Sequence, residues 1–177
     1  MRINLHVIVI GAGLTGSFFL KEMIAYLHMK QENLIRTDIT VFDPGSIGKE
    51  DLGAVYIRED LGQNRALLLS ELLKEQYDYE VTAVPGDFSV GSPVLQISKR
   101  DYVFMIDCSD GSIPGDYRTE WKKLSAKRKL YLKFADAMMD KPVSYYAFEI
   151  LYWCGLRMGD DDDKIRLNQR KPSKYKG

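Results

Sequence analysis

Residues 4–16, NLHVIVIGAGLTG, decide the fold. Residues 4–10 are apolar and β-branched, the pattern of a strand buried on both faces. Gly11-Ala12-Gly13-Leu14-Thr15-Gly16 follows at once as GxGxxG. From residue 17 to 29 the apolar positions, among them Phe19, Met23, Ala25 and Leu27, take helical spacing. In a strand–turn–helix of this kind Gly11 permits the tight turn and Gly13 lets a phosphate approach the backbone. Gly16 lets the helix pack closely on the strand. Leu14 and Thr15 then belong to a helix start whose free N–H groups and positive dipole end suit an anion.

Outward from that unit, residues 39–42 (ITVF) predict a second strand closed by Asp43, Pro44 and Gly45. A carboxylate at the end of a second strand accepts both ribose hydroxyls of an adenosine. The other reading of Asp43 is a turn former before proline. Residues 63–77 predict a helix with Leu68, Leu69, Leu72 and Leu73 on its apolar side, and residues 79–84 a third strand. Residues 85–98 are rich in Pro, Gly and Ser and read as irregular. A fourth strand at 102–106 ends at Asp107, a helix is expected over 117–127, and a fifth strand over 130–134. Residues 144–154 are apolar and aromatic, with strand and helix both open. Strands alternating with helices imply an α/β, Rossmann-like, doubly wound and mostly parallel sheet with helices on both faces. Such sheets bind ligands at the carboxyl ends of their strands, where the groups after strands one, two and four would meet.

Hydrophobic residues make up 45% of the 177, enough for a core, and 25 basic side chains balance 25 acidic ones. No global field draws the chain to nucleic acid or anionic lipid, and nucleic acid is not an expected partner. Cys108 and Cys154 have no near cysteine partner, and His6 and His28 are isolated, which argues against a zinc site and suits a reducing, cytoplasmic setting. No apolar run is long enough to span a bilayer, so no membrane is expected. After Arg157 the chain turns acidic at Asp160–Asp163 and then basic, with almost nothing to bury. The expected organisation is one nucleotide-binding domain over 1–156 and a charged, flexible tail over 157–177.

Two further stretches carry a resemblance. Asp60-Leu61-Gly62-Gln63-Asn64-Arg65-Ala66 opens the second helix, and Asp107-Cys108-Ser109-Asp110-Gly111 follows the fourth strand. Joined to GxGxxG and Asp43, they make residues 5–140 resemble the ThiF/MoeB/HesA family, bacterial relatives of ubiquitin-activating enzymes. The phrase VFDPGSI…DLGAVYIREDLGQNRA looks especially like the ThiF-type proteins of the PRTRC gene cluster. The resemblance implies ATP-dependent adenylation of the C-terminus of a small ubiquitin-like or sulfur-carrier protein, with ATP and magnesium as cofactors and a homodimer or heterodimer as the assembly. It implies nucleotide contacts from Gly11, Gly13, Leu14, Thr15, Gly16, Asp43, Asn64, Arg65 and Asp110. Asp110 would hold Mg²⁺, and Arg65 would bridge phosphate oxygens.

The chain departs from that family where charge matters most. A family VExSNLxRQ stretch aligns with residues 47–55, so that its Asn becomes Asp51, its Arg becomes Ala54 and its Gln becomes Val55. A helix-start Lys becomes Arg65, and an Asn becomes Gly111. Ala54 removes a cation that the family sets against the triphosphate, and Asp51 brings the wrong sign for phosphate. Arg58, downstream, is the candidate substitute. Three functions follow: an adenylating enzyme carried by Asp110, Arg65 and Arg58; a non-catalytic relative that binds nucleotide or partner; and an NAD-dependent oxidoreductase. The last lacks an evident proton donor near the strand ends.

Overall fold

The computed structural model describes residues 3–30, 35–109 and 117–133. Asp110, Gly111, the 144–154 segment with Cys154, the boundary after residue 156 and the tail lie outside the described residues.

Five strands build one parallel sheet: β1 (Ile3–Ile10), β2 (Ile35–Phe42), β3 (Thr82–Val84), β4 (Tyr102–Asp107) and β5 (Arg128–Lys133). Their spatial order is β3-β2-β1-β4-β5, and every pairing is parallel. The chain winds outward one way from β1, then returns to β4 on its other side, which puts the switch of direction between β1 and β4. This is the Rossmann-like α/β architecture.

Alternation along the strands sorts the core into two layers. Leu5, Val7 and Val9 of β1 pack with Phe19, Leu20, Met23 and Ile24 of α1 (Leu14–Lys30) and with Leu69 and Leu73 of α2 (Arg65–Tyr77). Ile8 and Ile10 face the other way, with Val103, Met105 and Phe42, against Phe88, Leu124 and Tyr117 of α3 (Tyr117–Lys123). Helices therefore cover both faces. No helix among the described residues is long and apolar enough to cross a membrane.

The boundaries shift from the sequence expectation for local reasons. Helix α1 begins at Leu14 rather than residue 17, because Ser17 N already bonds Gly13 O at 2.9 Å and the third glycine of the motif sits in the first turn. Helix α2 begins at Arg65 rather than 63, because the Asn64 side chain caps it by accepting from Leu67 N. Strand β2 starts early, at Ile35, since Arg36 and Asp38 hide its first half from a hydrophobic pattern. Strand β3 is cut to three residues, after Asp78 ends α2 in the left-handed region at φ 51°. Helix α3 stops at Lys123, where Lys129 Nζ, reaching over from β5, donates to the carbonyls of Trp121, Lys122 and Leu124.

Register positions the functional end. Ile10 pairs with both Phe42 and Asp107, so β1, β2 and β4 finish level. The residues that follow them, Gly11, Asp43 and Cys108, are thereby set side by side. Gly11 N donates to Phe42 O at 2.9 Å and Cys108 N to Ile10 O at 2.7 Å, which prolongs the ladders by one bond.

Candidate nucleotide cleft

Backbone geometry makes the floor. Gly11 has φ +88°, and a Cβ there would lie 3.0 Å from Ser109 N, so both conformation and the loop after β4 require glycine. A Cβ on Gly16 would come to 1.8 Å from Gly11 O, a clash with backbone that no side-chain motion relieves. Gly16 thus serves the packing of α1 on β1 and does not line the cleft. Tyr56, from the loop between β2 and α2, is 1% exposed, and its hydroxyl donates to Ala12 O (2.7 Å) and Arg65 O (3.0 Å). It ties the glycine turn to the start of α2. Burial pushes its phenol far above the ordinary value, and the charges of Asp43 and Asp51 add to that, so it is a neutral donor.

Over this floor lies a cleft of about 200 Å³. Gly11, Gly13, Leu14, Thr15, Asp43 and Arg65, six positions expected from the sequence, line it together. Asp43 is 1% exposed. Its Oδ2 accepts from Ala12 N and its Oδ1 from Gly45 N, each at 2.7 Å. An ionised carboxylate has about four acceptor sites, so these bonds fix its orientation without using all of its acceptor capacity.

Arg65 enters from the first turn of α2. Its Nε donates to Asp51 Oδ2 at 2.8 Å, Nη2 lies 3.5 Å from Glu50 Oε1, and Nη1 lies 3.8 Å from Asp43 Oδ2. Partial burial works against its charge, but the Asp51 hydrogen bond and the fields of Asp43, Asp51 and Glu50 outweigh it and raise its pKa. Among the described residues of the lining, Asp43, Glu50 and Asp51 thus face a single guanidinium, and their formal charge is negative.

The rest of the rim comes from the loop after β4. Asp107 is buried; its Oδ1 accepts from the N–H and hydroxyl of Ser109, and its Oδ2 accepts from the Tyr131 hydroxyl at 2.7 Å. Those bonds hold Cys108 and Ser109 against the turn. Burial, with Asp107 adding, pushes the Cys108 thiol well above its ordinary pKa, so it is a packed thiol rather than a nucleophile.

Solved structures resemble this fold. One, the crystal structure of E. coli MccB with ATP, aligns with a TM-score of 0.40 at 16% identity, over 60% of this chain and 30% of that one. The chain thus matches under a third of that protein's length. No family model and no curated protein matches the chain.

Other expected residues stand elsewhere. Asn64 Nδ2 donates to Asp43 O and Gly45 O, both at 3.1 Å, and its Oδ1 caps α2, so its polar groups are used in holding the Asp43 turn. Arg58 is exposed in a short 3₁₀ turn, Arg58–Asp60, and is not in the lining. Ala54 and Val55 line a separate hollow with Lys21 of α1 and Leu72 of α2, so the position expected against a triphosphate faces the helix pair instead. Asp110, the one expected magnesium ligand, lies outside the described residues, and among those described no group of three His, Cys, Asp or Glu side chains is placed to hold a metal.

Glu50 and Tyr56 were not legible as cleft or floor residues in the sequence, and Asp51 was legible only as a departure from a pattern. Tyr56 meets Ala12 across 44 positions and Arg65 across nine. No spacing rule reports a contact of that range.

Proposed function

We propose that this chain binds the adenosine part of an adenine nucleoside or nucleotide in the cleft above the glycine turn. The observation that carries this is Asp43: a buried carboxylate at the carboxyl end of β2, fastened to Ala12 N of the turn at 2.7 Å while still lining the cleft. A vicinal diol donates two hydrogen bonds to such a carboxylate, and the turn beside it has room for the sugar. The role is binding, with no turnover: the guanidinium that lines the cleft among the described residues is held by carboxylates, and Ala54 replaces the cation that the resembling family sets against the triphosphate. Thermal denaturation with millimolar adenosine, AMP, ATP and NAD tests the reading, since a ligand bound only by the native state raises the melting temperature. A rise with the adenine nucleosides or nucleotides is expected. No rise with any of them sinks it.

A second reading, ATP-dependent adenylation, is favoured by Arg65, whose guanidinium lines the cleft beside Gly13 and Thr15. The carboxylate at the C-terminus of a small ubiquitin-like or sulfur-carrier partner would attack the α-phosphorus. The P–O bond to the β-phosphate would break, and acyl-adenylate and pyrophosphate would leave. Arg65 would have to exchange Asp51 for phosphate oxygens. Pyrophosphate exchange into ATP, measured with magnesium and a candidate carrier, separates the readings: exchange supports adenylation, and its absence alongside nucleoside binding supports binding alone.

A further inference from the structure

Asp51 has no part in holding a ribose, yet it occupies the approach to the glycine turn. It ends the short 3₁₀ turn Lys49–Asp51 with its side chain only 4% exposed. Its Oδ2 accepts from Gly48 N and from Arg65 Nε, each at 2.8 Å. Its Oδ1 stands 2.9 Å from the point where a Cβ on Gly13 would lie. That is the space a missing side chain opens for a ligand phosphate to reach the backbone. A negatively charged oxygen of the protein is already there.

Phosphate and nucleoside meet this arrangement differently. A phosphate at Gly13 places like charges in contact, and must also break the charge-assisted bond that holds Arg65. The charge of Arg65 is already faced by Glu50 at 3.5 Å and Asp43 at 3.8 Å as well as by Asp51. An uncharged nucleoside needs only Asp43 and the apolar and backbone surfaces beside it.

We propose that Asp51 determines the ligand class of the cleft: held by Arg65 against Gly13, its carboxylate selects adenine nucleosides over adenine nucleotides that carry phosphate. This rests on the reading of the cleft as an adenosine site. Titration calorimetry on the full chain, with adenosine, AMP and ATP in EDTA so that no divalent cation bridges carboxylate to phosphate, tests it. Wild type is expected to bind adenosine more tightly than AMP and AMP more tightly than ATP, with a span of about tenfold or more. Asp51→Asn keeps an acceptor for Gly48 N and removes the charge, and the ATP-to-adenosine affinity ratio is expected to move about tenfold or more toward ATP. The wild-type order needs no variant and decides the matter if Asp51→Asn does not fold. ATP bound by wild type as tightly as adenosine, or a ratio unmoved in folded Asp51→Asn, overturns the role of Asp51 and leaves the adenosine site standing. No binding of any of the three by either protein overturns the adenosine site itself, and this proposal with it.

Discussion

Each end of the parallel sheet buries an aspartate that collects hydrogen bonds, and the one at the carboxyl end lines a cleft. At the amino end Asp101, just before β4, accepts from Ser98 N at 2.8 Å and from Asn4 Nδ2 at 3.3 Å, with His6 Nε2 at 3.0 Å. All of its partners belong to the fold, and it clips the loop ahead of β4 to the first half of β1. At the carboxyl end Asp43 binds two backbone N–H groups and also lines a cleft, with Asp51 and Arg65 beside it. Burial and hydrogen bonding are alike at the two ends; the cleft beside Asp43 is what makes one of them a candidate site. Under the proposed function, stability belongs to the amino end and ligand selection to the carboxyl end, and the contrast can be broken at either.

The largest effect is expected where the carboxyl end depends on backbone contact. Gly16→Ala forces a Cβ to 1.8 Å from Gly11 O and should cost about 3 kcal/mol or more in denaturant unfolding. In Gly13→Ala the added Cβ meets only the tip of the Asp51 side chain and should cost far less. Equal losses would mean that both glycines serve packing, and that Gly13 opens nothing to a ligand.

At the amino end, Asp101→Ala strands the N–H of Ser98 and the side chains of Asn4 and His6. A loss of about 2–3 kcal/mol is expected at neutral pH, with the nucleoside-induced rise in melting temperature intact. Burial works to raise the Asp101 pKa, but the hydrogen bonds from Ser98, His6 and Asn4 outweigh it and hold it below 3.8. The native state therefore binds fewer protons than the unfolded state as acid is added. The stabilisation is present above the ordinary carboxylate value and is lost as pH falls below about 4. Melting temperatures between pH 3 and 7 should fall less steeply on the acid side in the variant than in wild type.

Asp43→Asn is the mirror experiment. It should lower nucleoside affinity about ten- to a hundredfold, the worth of hydrogen bonds to a charged acceptor, for a stability loss of about 1–2 kcal/mol. Isothermal titration together with thermal denaturation reads both. An Asp43 variant that lost only stability would make the two ends equivalent. The smallest effect is expected at Tyr117, whose hydroxyl is pushed up to about 12 by burial and by Asp87, Asp107 and Asp43, and is unpaired among the described residues. Tyr117→Phe removes an unsatisfied buried group and should leave the ligand-free protein unchanged or more stable by up to about 1 kcal/mol. A clear destabilisation in denaturant would show that the hydroxyl has a partner in the fold.

What the linear sequence determines about this protein is local and periodic. The β1–turn–α1 unit is legible because strand alternation, glycine spacing and helical periodicity all act within residues 3–30, and no distant contact is needed to choose among them. Asp43 is legible because a carboxylate ending the second strand follows from the same unit. Five parallel strands follow from the alternation of strands and helices, although the edge strands β3 and β5 are placed only roughly, since few apolar residues mark them. The tertiary structure alone decides the character of the cleft. Asp51 lies 38 positions from Gly13 and 14 from Arg65, yet its two oxygens meet both, and Ala54, three residues further on, faces a different hollow. A turn of three residues settles which of these side chains points at the glycines, and its direction is set by Tyr56 docking under Ala12 and by Gly48 N closing on Asp51. Charge sign is written in the sequence, but the place where a charge acts depends on packing between segments far apart in the chain.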